Sequence, residues 1–129
     1  MKVFTKAVAL GVVLALPLAV YAADTKATPS AKMYKVSEVF KNKATLNKQQ
    51  VSVKGKVVKT SAGIMGKNWI HIQDGSGSAA AKDNDLTVTT NQDLPATGTV
   101  VTVTGTMVKD KDFGSGYFYP AIIESATFK

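Results

Sequence analysis

Val51-Ser52-Val53-Lys54-Gly55-Lys56-Val57-Val58 alternates valine with small or polar residues, and Val101-Thr102-Val103-Thr104-Gly105-Thr106-Met107-Val108 repeats the same V-x-V-x-G-x pattern later in the chain. An apolar period of two with β-branched side chains predicts strands that bury one face. The glycine inside each run marks a point where a long strand must bend. Two bent strands of this kind predict a small closed sheet around which both coil.

Three more strands fill out the pattern. One contains Trp69, one covers residues 85–90, and the last covers residues 117–126. A glycine-rich turn at 74–77 and a connector at 92–98 with Pro95 separate them. Pro120 cannot donate to a ladder, so the last strand is expected at an edge or with a bulge. Val36, Val39 and Phe40 fall at helical spacing with Ser37 placed to cap, which predicts a short helix over 36–42 covering one end. The expected fold is therefore all-β: a five-stranded barrel of the oligonucleotide/oligosaccharide-binding (OB) type with a short N-terminal helix.

The stretch around the only Trp and the only His is Gly63-Ile64-Met65-Gly66-Lys67-Asn68-Trp69-Ile70-His71-Ile72-Gln73-Asp74-Gly75-Ser76-Gly77. It predicts a loop, a strand and a turn. Period two sends Ile70 and Ile72 into the core and leaves Trp69, His71 and Gln73 together on the other face. An indole, an imidazole and an amide side by side outside a core point to a binding site.

The first segment has a different character. Lys2 and Lys6 precede an apolar run over 7–20, and Val20-Tyr21-Ala22 offers residues that a signal peptidase accepts. This predicts a secretory signal peptide over 1–22, a periplasmic protein beginning at Ala23, and a flexible lead over 23–35 before an OB domain over 36–129. No Cys stands at the cleavage point, so lipid attachment there is not expected. The run is short for a membrane span, and the mature protein is expected to have none.

Composition narrows the function classes. All 16 basic residues are Lys, and loss of Lys2 and Lys6 would leave 14 against 9 acids. A basic balance without Arg favours solubility over base-specific readout. The absence of Cys removes disulfides, thiolate metal sites and cysteine nucleophiles. No Ser sits in a nucleophile elbow and no phosphate-cradling glycine loop is present, so the chain reads as a non-enzyme. Asp83 with Asp85, and Asp110 with Asp112, do not continue into a calcium loop and read as solvated turn acids.

The run V-x-V-x-G-x-V followed by N-W-I-H-I-Q-D-G-S-G resembles the opening of anticodon-binding OB domains. With Asp112-Phe113-Gly114-Ser115-Gly116-Tyr117, the chain after the leader resembles small exported bacterial OB-fold proteins of the NrfJ-like kind. The resemblance implies the OB fold and a role beside respiratory or cytochrome-maturation machinery. It transfers fold better than activity.

Two binding functions compete. Cu(I) and Ag(I) prefer thioether and imidazole donors, and Met and His are the soft or borderline donors this chain has. Met65 and His71 are the candidate ligands, with Trp69 as a capping ring through a cation–π contact, a set of ligand types similar to that of CusF-type periplasmic copper chaperones. Met107 is the candidate second thioether if the bend at Gly105 re-aims it; its parity with Val101 and Val103 otherwise makes it core. Met33, in the lead, is placed to close over an ion, and His71 has the plainer alternative of a surface imidazole bonded to a neighbour. The competing reading is an oligonucleotide or other ligand-binding module. There Trp69, Phe113, Tyr117 and Tyr119 stack bases, Gln73 adds a polar contact, and Lys54, Lys56, Lys59 and Lys67 neutralise phosphates. Export and the lack of Arg count against it.

Overall fold

The structure is a computed structural model that describes residues 31–129. The expected leader and most of the expected lead lie outside the described residues. The elements run β1 (Lys32–Tyr34), α1 (Val36–Lys41), α2 (Lys43–Leu46), β2 (Gln50–Ile64), β3 (Lys67–Gln73), β4 (Leu86–Thr90), β5 (Val100–Asp112) and β6 (Phe118–Phe128). The fold is all-β with two short helices. Six strands form, against the five expected, because residues at the end of the lead pair as β1 in parallel with Val51–Val53 of β2.

β2 organises the sheet. Its first half pairs antiparallel with β5, from Gln50 opposite Thr106 to Lys56 opposite Val100. Its second half pairs antiparallel with β3, from Lys56 opposite Gln73 to Ile64 opposite Lys67. β3 continues to β4, β4 runs parallel to β6, and β6 returns antiparallel to β5, so the ladders form a closed ring.

The predicted glycines sit where this ring is tightest. A Cβ on Gly55 would stand 3.1 Å from Ile72 Cβ and 3.2 Å from the Gln73 carbonyl, at the changeover between the two partners of β2. On Gly105 it would meet the Glu124 carbonyl at 2.7 Å and Ile123 Cγ2 at 2.7 Å, beside the register shift between β5 and β6. Pro120 lies before Thr87 and Ile122 begin the β4–β6 pairing, on a length of β6 that has only β5 beside it. There its missing N–H costs no second ladder.

Inside the ring, Val51, Val53, Val57, Ile70, Ile72, Leu86, Val88, Val103 and Ile123 are fully buried, and Val36 and Val39 of α1 close one end. Each fully buried Ile or Val contributes about 1.5–3 kcal/mol of hydrophobic stabilisation. Met107 is among them at 0% exposure, which corrects its place as a candidate ligand: Gly105 bends β5 without turning Met107 outward, and its thioether fills core.

Helix α1 is anchored by the turn after β3. Asp74 Oδ2 accepts from the Val36 N–H at 2.9 Å and Ser76 Oγ accepts from the Ser37 N–H at 3.0 Å. Ser37, expected as the cap, instead lies within the helix, and the first N–H groups are satisfied from a distant turn. Glu38 Oε1 accepts from the Lys35 N–H at 2.8 Å and completes the start.

Two outcomes follow. Gly105→Ala forces backbone atoms apart, so urea denaturation is expected to show a loss of about 1–3 kcal/mol, larger than for Gly55→Ala. For Asp74, burial raises its carboxyl, but hydrogen bonds from Ser76 and the Val36 and Ser76 N–H groups outweigh it and hold the carboxyl below its ordinary value. Asp74→Ala should therefore cost about 1 kcal/mol at neutral pH. That difference should persist above pH of about 4 and shrink as pH falls through the lowered folded value, since a depressed carboxylate stabilises only while ionised.

Candidate functional site

The outer face of β3 carries Trp69, His71 and Gln73, as alternation with the buried Ile70 and Ile72 requires. A β-bulge in β2 decides what stands opposite them. Val57 pairs with Ile72 toward the core, the register then shifts, and Lys59 pairs with His71 while Ser61 pairs with Trp69. The extra residue, Val58, turns the parity of β2 and brings Lys59 and Ser61 to the outer face.

The β2–β3 hairpin rises beside this face. Ile64 pairs with Lys67, leaving a two-residue turn of Met65 (φ 53°) and Gly66 (φ 74°). Positive φ at both central residues is the requirement of a type I′ turn, which Asn-Gly satisfies best. Met65 holds this conformation at a cost of about 1–2 kcal/mol relative to a right-handed one, and 45% of its surface is exposed.

The β5–β6 hairpin closes over the face from the other side. Phe113 and Tyr119 pack on Trp69 with ring centroids at 5.3 and 5.7 Å, and on each other at 5.9 Å. The indole N–H of Trp69 donates to the Ile64 carbonyl at 2.7 Å, tying the ring to the Met65 turn. Trp69 is consequently only 5% exposed. It is a rigid wall rather than the open ring that the alternation pattern implies, because residues distant in sequence fold over it.

Met65, Trp69 and His71 line one pocket of about 220 Å³ with Lys59, Ser61, Ile64, Tyr117 and Tyr119. His71 Nδ1 lies 2.6 Å from Asp85 Oδ1, and Asp85 Oδ2 accepts from Gln73 Nε2 at 2.9 Å, with Asp85 and Gln73 both outside the pocket lining. An ionised carboxylate can only accept, so Nδ1 carries a proton, and in the neutral imidazole the lone pair is then on Nε2. Burial, followed by the neighbouring Tyr117, raises the Tyr119 hydroxyl above its ordinary value, which keeps it a hydrogen-bond donor.

Asp85 is the residue that sequence reasoning missed, since it read as a solvated turn acid. Its partners follow from register: Ile72 opposite Leu86 carries Asp85 alongside Gln73 and diagonal to His71. The other acids fit the expectation better. Asp83 accepts from the Ser78 N–H and Asp112 from the Gly114 N–H, both as turn acceptors. Asp110 is held below its ordinary carboxylate value by hydrogen bonds from Lys109, then Lys43.

The remaining candidates are dispersed. Lys54, Lys56 and Gln73 line a separate open groove of about 560 Å³ with Val100, and Lys67 borders a small third pocket with Asn68. Met33 is exposed on β1. Among the described residues no group of three or more His, Cys, Asp or Glu gathers to hold a metal. Among them, too, no helix is long and apolar enough to cross a membrane.

No family model and no curated protein matches the chain. Function must be argued from the side chains themselves.

Thr89 stands opposite Trp69 on β4, fully buried, with its hydroxyl bonded to no protein group. Removing a desolvated, unpartnered hydroxyl relieves a penalty. Thr89→Val is expected to raise stability by about 1 kcal/mol in denaturant unfolding; a loss of that size would show that the hydroxyl is satisfied in solution.

Proposed function

We propose that the protein is an exported OB-type barrel that binds and carries Cu(I), held between Met65 Sδ and His71 Nε2 against the Trp69 ring. The observation that carries this reading is the shared pocket of Met65 and His71, with Asp85 already engaging Nδ1 of the imidazole. A carboxylate on one ring nitrogen fixes the tautomer and raises the basicity of the other, as second-shell partners of metal-bound histidines do. Thioether and imidazole suit a soft monovalent ion, and the pocket has no carboxylate oxygen cluster for a hard one.

Two further features support it. The Met65 turn keeps a thioether where Asn would fold better; five other non-glycine residues among those described share its positive φ, so the turn supports the reading only because Met65 also lines the His71 pocket. The ring order β2-β3-β4-β6-β5, with the hairpins at 63–67 and 112–118 flanking the β3 face, is the arrangement in which OB barrels bind ligands. Export to the periplasm rests on the leader reading. Work beside respiratory or cytochrome-maturation machinery rests on the resemblance alone, and binding rather than catalysis rests on the donor set. The oligonucleotide reading has less support, because the part of Trp69 that reaches the pocket is too small to stack a base, and Lys54, Lys56 and Lys67 lie away from the aromatic wall, although Lys59 lines the same pocket.

Titration with Cu(I), or Ag(I) as an air-stable substitute, is expected to quench or shift the emission of the single Trp with one ion per chain. His71→Ala and Met65→Ala should each weaken binding at least roughly tenfold, as loss of one of two soft donors requires. Met107→Leu should leave it unchanged. Binding insensitive to both ligand substitutions would refute the site.

Met65→Asn tests the strain argument separately. It should stabilise the hairpin by about 0.5–1 kcal/mol while abolishing ion binding. A variant no more stable than the parent would remove the strained turn as support.

A further inference from the structure

Two donors and one ion do not fill this pocket. Its volume is about 220 Å³, whereas a water-sized occupant needs roughly 30 Å³. Space for several more heavy atoms therefore remains beside Met65 and His71. Cu(I) with only a thioether and an imidazole also readily accepts a further soft ligand.

The charges around that space point to what fills it. Lys59 stands directly opposite His71, placed there by the bulge at Val58, and has no carboxylate partner among the described residues. No acid is among the residues that line the pocket, and the carboxylate nearest to it is that of Asp85, hydrogen-bonded to His71. A Cu(I) ion brings one positive charge and Lys59 a second, against one negative charge from Asp85. One unit of positive charge is left over in a partly enclosed site. The Tyr117 and Tyr119 hydroxyls in the same wall offer donors, Tyr119 firmly protonated, and acceptors for a cation are few. A lysine beside a bare-cation site works against it. Beside an ion that arrives with an anion, the same lysine is a recognition group.

We infer that the pocket takes the ion together with a small sulfur anion, a thiolate or thiosulfate, whose sulfur completes the coordination and whose charge is met by Lys59. This rests on the soft-ion reading of the same site and extends it: Lys59 is the residue that selects the co-ligand. The sulfur anion bonds to the ion without displacing Met65 or His71 and without any change of oxidation state; a thiol releases its S–H proton to solvent as it binds, whereas thiosulfate binds as it is. Its source is either a free small thiol or a cysteine thiolate on another protein, and both present the same atom.

The test uses the full mature chain loaded with Ag(I) in nitrate, then titrated with thiosulfate, with L-cysteine, or with a cysteine-containing peptide, and read by native mass spectrometry and Trp69 emission. The expected result is a one-to-one-to-one adduct of protein, silver and anion. Lys59→Leu, which removes the ammonium without adding a donor, should weaken capture of the anion at least roughly tenfold, the size expected on losing a hydrogen bond to a charged group. Loss of the ammonium should leave the Ag(I) affinity in nitrate equal or higher, never lower, and Lys59→Arg should restore the adduct. An adduct with the small anions but not the peptide assigns a free co-ligand, and one with the peptide as well assigns a protein thiolate; both bear the inference out. Silver bound without any adduct, silver stripped equally from parent and variant, or an adduct indifferent to Lys59→Leu overturns the inference while leaving the soft-ion site standing. No Ag(I) binding in nitrate overturns both.

Discussion

Strand β2 changes partners halfway along its length, and the rest of the molecule is arranged by that change. Up to Lys56 it is hydrogen-bonded to β5, and from Lys56 onward to β3. The handover needs the backbone of β3 within contact of position 55, where a side chain would press on Ile72 and the Gln73 carbonyl. Gly55 permits that approach, the ring closes through β4, β6 and β5, and the valines and isoleucines of the inner face acquire a shared interior. The bulge at Val58 then follows within the same strand. Without it, Lys59 would continue the parity of Val57 and aim at the core, where an unpaired ammonium is prohibitively costly.

The outer face of β3 is built at the expense of local stability. Met65 occupies a left-handed position that glycine or asparagine would hold more easily, and the Thr89 hydroxyl is buried without a protein partner beneath the aromatic wall. Non-glycine residues at positive φ also stand at Lys48, Lys82, Asp110, Ser115 and Ser125, so such conflicts are not confined to this face, while the interior valines and isoleucines are consistently packed. Sequences tend to depart from local preference where function requires it. The wall is also tied to the turn: Trp69, packed by Phe113 and Tyr119, donates its indole N–H to the carbonyl of Ile64, the residue before Met65.

Much of the fold was legible because period two survives in these strands. The repeated valine runs and the placement of Ile70 and Ile72 against His71 and Gln73 need only alternation to be read, and Gly55 and Gly105 announced the bends. What was not legible depends on register or on distant packing. Lys32-Met33-Tyr34 is too short to show a period. The bulge at Val58 is hidden in a run of two valines, so the placing of Lys59 opposite His71 could not be foreseen. Asp85 acquires its role only when Ile72 is set opposite Leu86, and the burial of Trp69 needs the hairpin that carries Phe113 and Tyr119. Met107 was ambiguous for a related reason: a glycine two residues earlier signals a bend without giving its direction.

The central claim is that one thioether and one imidazole converge on a soft ion at this face. X-ray absorption at the copper edge of the Cu(I)-loaded protein, prepared without sulfur-containing additives, addresses it most directly. The account predicts a first shell with one sulfur from Met65 and one imidazole nitrogen from His71, the sulfur lost in Met65→Ala and the imidazole scattering lost in His71→Ala. A shell of oxygen and nitrogen with no sulfur, or one unchanged by both substitutions, would contradict it.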